Sequence, residues 1–144
     1  MVLSASWQFW ALLSACFAAL TAIFAKIGVE NVDPDMATLI RTVIILIMLT
    51  MILYARGQLH APGGISTKSW IFLVLSGAAT GASWVCYFRA LKIGDAARVA
   101  PLDKLSLVIV AVFGVLFLGE NLSHWNWAGV VLMAAGALLV VYRG

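Results

Sequence analysis

The sequence predicts an all-α integral membrane protein, a bundle of five transmembrane helices in a single domain over 1–144, and three observations carry that prediction. Hydrophobic residues make up 64% of the chain and charged residues 10%, against about 45–50% and about 25% in a soluble globule. Mean hydropathy is +1.06, more apolar surface than a soluble fold of this size could hide. Five apolar segments, roughly 7–28, 36–55, 69–89, 100–118 and 124–142, approach the length of about 20 residues that crosses about 30 Å of hydrocarbon. The lipid bilayer is therefore the first expected partner. The formal charge of +3 belongs to loops at a membrane surface and not to a nucleic-acid footprint.

Span one, 7–28, repeats alanine at 11, 15, 18, 22 and 25 and contains no Asp or Glu. Within it, Leu13-Ser14-Ala15-Cys16 has the look of a lipoprotein cleavage box. A signal peptide wants a positively charged start, and no Lys or Arg precedes Lys26, so the mature chain is expected to begin at Met1. Asp33-Pro34 opens span two with a capping side chain ahead of a proline at the first helical position. Gly57 and the Pro62-Gly63-Gly64 turn separate spans two and three, and Ser66 and Thr67 can cap span three. The run from Ser76 to Ser83 is all small residues, with Gly77 and Gly81 one turn apart. Such residues let helix backbones approach closely in lipid. Ser123 can cap span five, which carries Gly129 and Gly136 as further candidates for helix packing. The two cysteines, Cys16 and Cys86, lie in apolar runs outside any metal-ligand spacing and read as packing residues.

Span four raises the question of charge. Phe88 to Ser106 gathers Arg89, Lys92, Asp95, Arg98, Asp103 and Lys104, six of fifteen charged residues. A helix starting after Lys104 would rise only about 21 Å over 105–118, too short to cross. It must start near Pro101, which draws Asp103 and Lys104 into the membrane boundary. Asp95 can cap a short preceding turn, with a kink at 100–101 as the alternative, and Arg89, Lys92 and Arg98 are expected in a short solvated connection. Arg41 lies about five residues into span two, roughly 7–8 Å along the axis. A charge there costs several kcal/mol unless it faces a cavity or partner or snorkels to the headgroups. Lys26, Arg41, Asp103 and Lys104 all approach one membrane face, where they can line a vestibule.

Five spans put the termini on opposite faces. One face carries Arg56 and Lys68; the other receives Lys26, Arg41, Arg89, Lys92, Arg98, Lys104 and Arg143, a bias of seven to two. By the positive-inside rule the N-terminus is outside and the C-terminus cytoplasmic. Trp7, Trp10, Tyr54, Trp70, Trp125 and Trp127 gather near the outer face as an interfacial belt would. No catalytic constellation, phosphate loop or metal-ligand set emerges, and His60 and His124 fall in loops. The chain is read as no enzyme, with no cofactor.

The segment YFRALKIGDAARVAPLDKLSLVIVAVFGVLFLGENLSHWNWAGVVLMAAGALLVV resembles the EamA domain of the drug/metabolite transporter superfamily. The family-like features are Tyr-x-x-Ala-Leu at 87–91, the small residues leading to Pro101, Leu118-Gly119-Glu120, and then Trp127, Gly129 and Gly136. The resemblance is strong over 84–142 and rests on span count and length over 1–83. Most relatives fuse two five-helix halves, one inverted; this chain looks like the single five-span bacterial and archaeal type. The resemblance implies secondary transport of a small organic solute, a metabolite or amino-acid-like molecule, often outward, by alternating access in the cell (inner or plasma) membrane. The alternative is a non-transporting membrane assembly factor, or one half of a heteromeric transporter. Related four-helix multidrug transporters use a carboxylate in their first span. Its absence here disfavours cationic drugs and favours an anionic, zwitterionic or neutral solute. Candidate substrate-pathway residues are Arg41, Lys104, Asp103, Lys26, Arg89, Tyr87 and Trp84, while Glu120 reads as structural.

Transporters of this kind place solute at the midplane between inverted repeats, which a single half achieves by pairing with an oppositely inserted copy. If Lys26, Arg41 and Lys104 sit in the membrane, the cation bias falls to four against two, weak enough to permit dual insertion. A homodimer with antiparallel subunits is the expectation.

Overall fold

The computed structural model describes residues 6–59 and 63–142, so Pro62, His60, Arg143 and the first five residues lie outside it. Among the described residues there are six α-helices and no strand: α1 (Trp7–Gly28), α2 (Pro34–Ala55), α3 (Thr67–Ile93), α4 (Ala96–Asp103), α5 (Ser106–Leu118) and α6 (His124–Val141). Helices α1, α2, α3 and α6, together with α4 and α5 taken as one, give five segments long and apolar enough to cross a membrane. The protein is an all-α, multi-pass membrane protein.

The helix starts follow their caps. Asp33 Oδ1 accepts the Asp35 and Met36 amides at 3.0 and 3.1 Å, with Pro34 at the first helical position. Ser66 Oγ accepts the Ser69 amide at 3.1 Å, and Ser123 Oγ accepts the Asn126 amide at 3.3 Å. Asp95 departs from expectation. It stands at the start of α4 without a side-chain cap bond, and its carboxylate turns to Arg98 at 3.8 Å instead.

Two further expectations are corrected. Arg89 and Lys92 belong to the last turns of α3 and Arg98 to α4, leaving only Gly94 and Asp95 as the connection. Span four starts at Ala96, so Pro101 lies inside α4 and not at its first turn. Proline has no N–H for the Ala97 carbonyl, and the helix runs only two residues beyond it. The chain then tightens. The Lys104 amide is shared between the Ala100 and Pro101 carbonyls, while Leu105, Leu107 and Val108 bond three residues back, onto Leu102, Lys104 and Leu105. This is 3₁₀ geometry. The break thus falls at 104–105, a turn later than the expected kink at 100–101.

The chain divides into two compact units, Phe24–Lys92 and Met1–Ile23 with Ile93–Gly144. In the first, Ala25, Val29, Thr38, Phe88 and Leu91 are buried. The Thr38 hydroxyl donates to the Pro34 carbonyl at 2.8 Å, which removes the cost of burying it. In the second, α6 packs on α4 and α5 and buries Val130 and Ala137. Long apolar side chains such as Ile44, Leu46, Leu73 and Leu132 remain exposed. That suits a chain whose solvent is hydrocarbon.

Candidate functional site

In the unit Phe24–Lys92, Arg41 stands seven positions after Pro34, about 10 Å of helix rise. The guanidinium carbon lies 4.1 Å from the centroid of the Trp84 ring and 5.6 Å from that of Phe88. Trp84 and Phe88 stand four residues apart on α3, so both rings project from one face. Both distances are within cation–π range. Phe88 is 3% exposed and fixes one side of the cradle, whereas Arg41 and Trp84 are half-buried. Tyr87, next to Phe88, lies within electrostatic reach of the guanidinium. Among the described residues no carboxylate pairs with Arg41 and no protein acceptor takes its N–H groups. Among the described residues no sealed-in side-chain polar atom lacks a partner either, so those N–H groups are not sealed in.

The neighbouring cations are all engaged. Arg89 forms a bidentate pair with Asp35, Nε to Oδ1 at 3.1 Å and Nη2 to Oδ2 at 2.7 Å. Lys26 Nζ, in the last turn of α1, donates to the Leu91 carbonyl at 2.7 Å. Lys92 Nζ, in the last turn of α3, reaches back to the Val29, Glu30 and Val32 carbonyls at 2.8, 2.6 and 3.2 Å. The two lysines thus cross-cap each other's helix ends, where free carbonyls and the negative end of the dipole favour a cation.

In the other unit, Lys104 Nζ is 3.5 Å from Asp103 Oδ2 at the end of α4. Lys104 also borders a groove of about 230 Å³, with Pro101, Leu107, Met133, Gly136, Ala137 and Val140 as its apolar lining. Gly119 takes the left-handed conformation at φ 67°, and its amide and that of Glu120 both return to the Gly114 carbonyl. A Cβ on Gly114 would come within 2.6 Å of Glu120 Oε2. The Leu118-Gly119-Glu120 motif therefore closes a helix end. A Cβ on Gly77, Gly81, Gly129 or Gly136 would meet nothing within 4 Å, so these faces stand open.

The structure brings together Arg41, Trp84 and Tyr87 of the sequence-named candidates, and binds Lys26 and Arg89 into helix-end contacts nearby. It adds Phe88, Asp35 and Lys92. The four-residue spacing of Trp84 and Phe88 was visible in the sequence; the pairing of Arg89 with Asp35, 54 positions away, leaves no local signal.

Comparison with known proteins extends this picture. The EamA-like transporter family matches residues 5–142. The chain is 66% identical over 138 residues to an uncharacterized transporter in the cobO 3′ region of Sinorhizobium sp, covering 96% of this chain and 98% of that one. It is 26% identical over 135 residues to the uncharacterized transporter YxxF of Bacillus subtilis, covering 93% of this chain but 42% of the relative. It is also 33% identical over 69 residues to the probable 4-amino-4-deoxy-L-arabinose-phosphoundecaprenol flippase subunit ArnE of Aeromonas hydrophila, covering 48% of this chain and 60% of that one. The chain therefore spans almost the whole Sinorhizobium protein and less than half of the Bacillus one. No solved structure matches it. With one family running from residue 5 to residue 142, through every apolar span, the chain belongs to the EamA-like transporters.

Proposed function

We propose that this protein is a secondary transporter of a small organic solute, an exporter in the cell membrane that works as a dimer by alternating access. Arg41 meets the solute. The observation that carries the reading is a permanent cation about 10 Å along a spanning helix, stacked on Trp84 and supplied with no carboxylate. Lipid tails cannot satisfy guanidinium N–H groups, so water or a passing acceptor must. Tyr87 belongs to the same path. Lys26 and Arg89 hold its end in shape through the contacts they already make. Lys104 contributes at the border of its own groove, with Asp103 beside it. The N-terminus lies outside, or both orientations occur in one antiparallel dimer whose small-residue faces at Gly77 and Gly81 pack together.

Reconstituted wild-type chain should drive counterflow of its solute, and Arg41→Gln should abolish it while expression and helical content stay unchanged. Normal transport by Arg41→Gln would return Arg41 to the headgroup-snorkelling role. A second reading, one half of a heteromeric transporter, draws on the similarity to a relative named as a flippase subunit. Liposomes holding this chain alone separate the two. Flux without any other protein excludes an obligate second subunit.

A further inference from the structure

We infer that the solute taken by Arg41 is a monocarboxylate with an apolar body and no ammonium group. The inference rests on the reading that Arg41 faces the transport path, and it follows from a count of charges. The chain has six acidic residues. Asp33 caps α2, Asp35 is held by Arg89, Asp95 faces Arg98, and Asp103 faces Lys104. Glu120 lies over Gly114 at a helix end, and Glu30 is exposed in the turn after α1. Helices α1 and α3 contain no acidic residue, and the only one in α2 is Asp35 in its first turn.

An amino acid brought to Arg41 would offer its carboxylate to the guanidinium, but its ammonium would find no counter-charge in these spans. An uncompensated charge below the interface costs several kcal/mol. The cations set the opposite limit. Lys26, Arg89 and Lys92 already spend their donors on carbonyls or on Asp35, so each subunit has Arg41 alone to neutralise a solute of its own. A phosphate monoester carries a charge of about −1.5 to −2 near neutral pH. One guanidinium would leave part of that charge bare. A carboxylate matches it one for one, in a geometry the guanidinium fork can grip with two hydrogen bonds. The Trp84 ring orients that fork, and its apolar surface with that of Phe88 suits a hydrocarbon or aromatic body beside the carboxylate.

The test uses the full chain in lipid nanodiscs and matched probes that change one group at a time. Hexanoate and phenylpropionate are titrated beside hexanamide, norleucine, phenylalanine and hexyl phosphate. The two carboxylates should bind at least about tenfold more tightly than each matched amide, amino acid or phosphate. Arg41→Gln should erase that margin and Arg41→Lys should retain part of it. The comparison within the wild-type chain needs no variant to fold. Equal or tighter binding of norleucine, phenylalanine or hexyl phosphate overturns the inference, as does failure of both carboxylates to bind. Carboxylate affinity unchanged in Arg41→Gln overturns it too. Flux separates this outcome from the transport reading. Carboxylate binding without counterflow upholds the solute class and sinks the transporter, whereas counterflow of the amino acid or the phosphate does the reverse.

Discussion

Single residues in this protein are used in two distinct ways, and their partners tell them apart. Arg89 and Asp35 are well paired yet open to solvent, with side chains 61% and 52% exposed. Such a pair adds little to stability, because water screens both charges. Asp35→Asn should therefore shift the unfolding midpoint in detergent only slightly. Lys92 is different, because one ammonium serves three carbonyls after α1. Lys92→Met leaves them to water, two of the three bonds being exposed and the third half-buried, at a cost of about 1 kcal/mol. Denaturant titration of the purified protein should rank it below Asp35→Asn in stability. The caps at Asp33, Ser66 and Ser123 were legible because a cap and its amides lie within three residues. Contacts such as Lys92 with Val29 span 63 positions, and composition carries no trace of them.

At the scale of the helices, hydropathy located all five spans, and the end of span two matched to the residue. It misleads where charge is the sign of a loop. The expected end of span three is 89, yet α3 continues to Ile93, with Asp35 neutralising Arg89 and the Val29, Glu30 and Val32 carbonyls just after α1 solvating Lys92. Span four was expected to open at 100, yet two residues suffice to turn the chain and α4 opens at Ala96. The break after α4 lies a turn beyond Pro101, whose missing N–H costs only the upstream bond to the Ala97 carbonyl. Pro101→Ala should therefore strengthen α4 itself and leave the 3₁₀ turn at 104–105 in place. Slower amide hydrogen exchange within 97–103, with none at Lys104–Leu107, is the expected result; slower exchange at Lys104–Leu107 would trace the break to the proline after all.

For the molecule as a whole, length and composition alone specify a membrane protein, and its family follows from the match over residues 5–142. Arg41 was nameable as unusual from its depth alone, but its aromatic cradle was not, since Trp84 reaches it from another helix. Assembly is the matter that labelling decides. With Cys16 and Cys86 replaced, single cysteines at Gly63 and Gly144 should each be modified from both sides of the native membrane if the dimer is antiparallel. Modification of each from one side only would leave a parallel dimer or an inverted partner protein.

The lone guanidinium has a consequence for energetics. On the proposed reading, each subunit's site carries one positive charge when empty and is neutral when it holds a monocarboxylate. Voltage would then act on the return of the empty carrier and leave the loaded step untouched. A full elementary charge crossing the membrane is worth about 2.3 kcal/mol per 100 mV. A negative interior would draw the empty site inward, ready to load there again, so the resting potential alone would bias the protein toward export. In liposomes with a clamped potential, net efflux should rise with interior negativity, while exchange at saturating solute on both sides should stay flat.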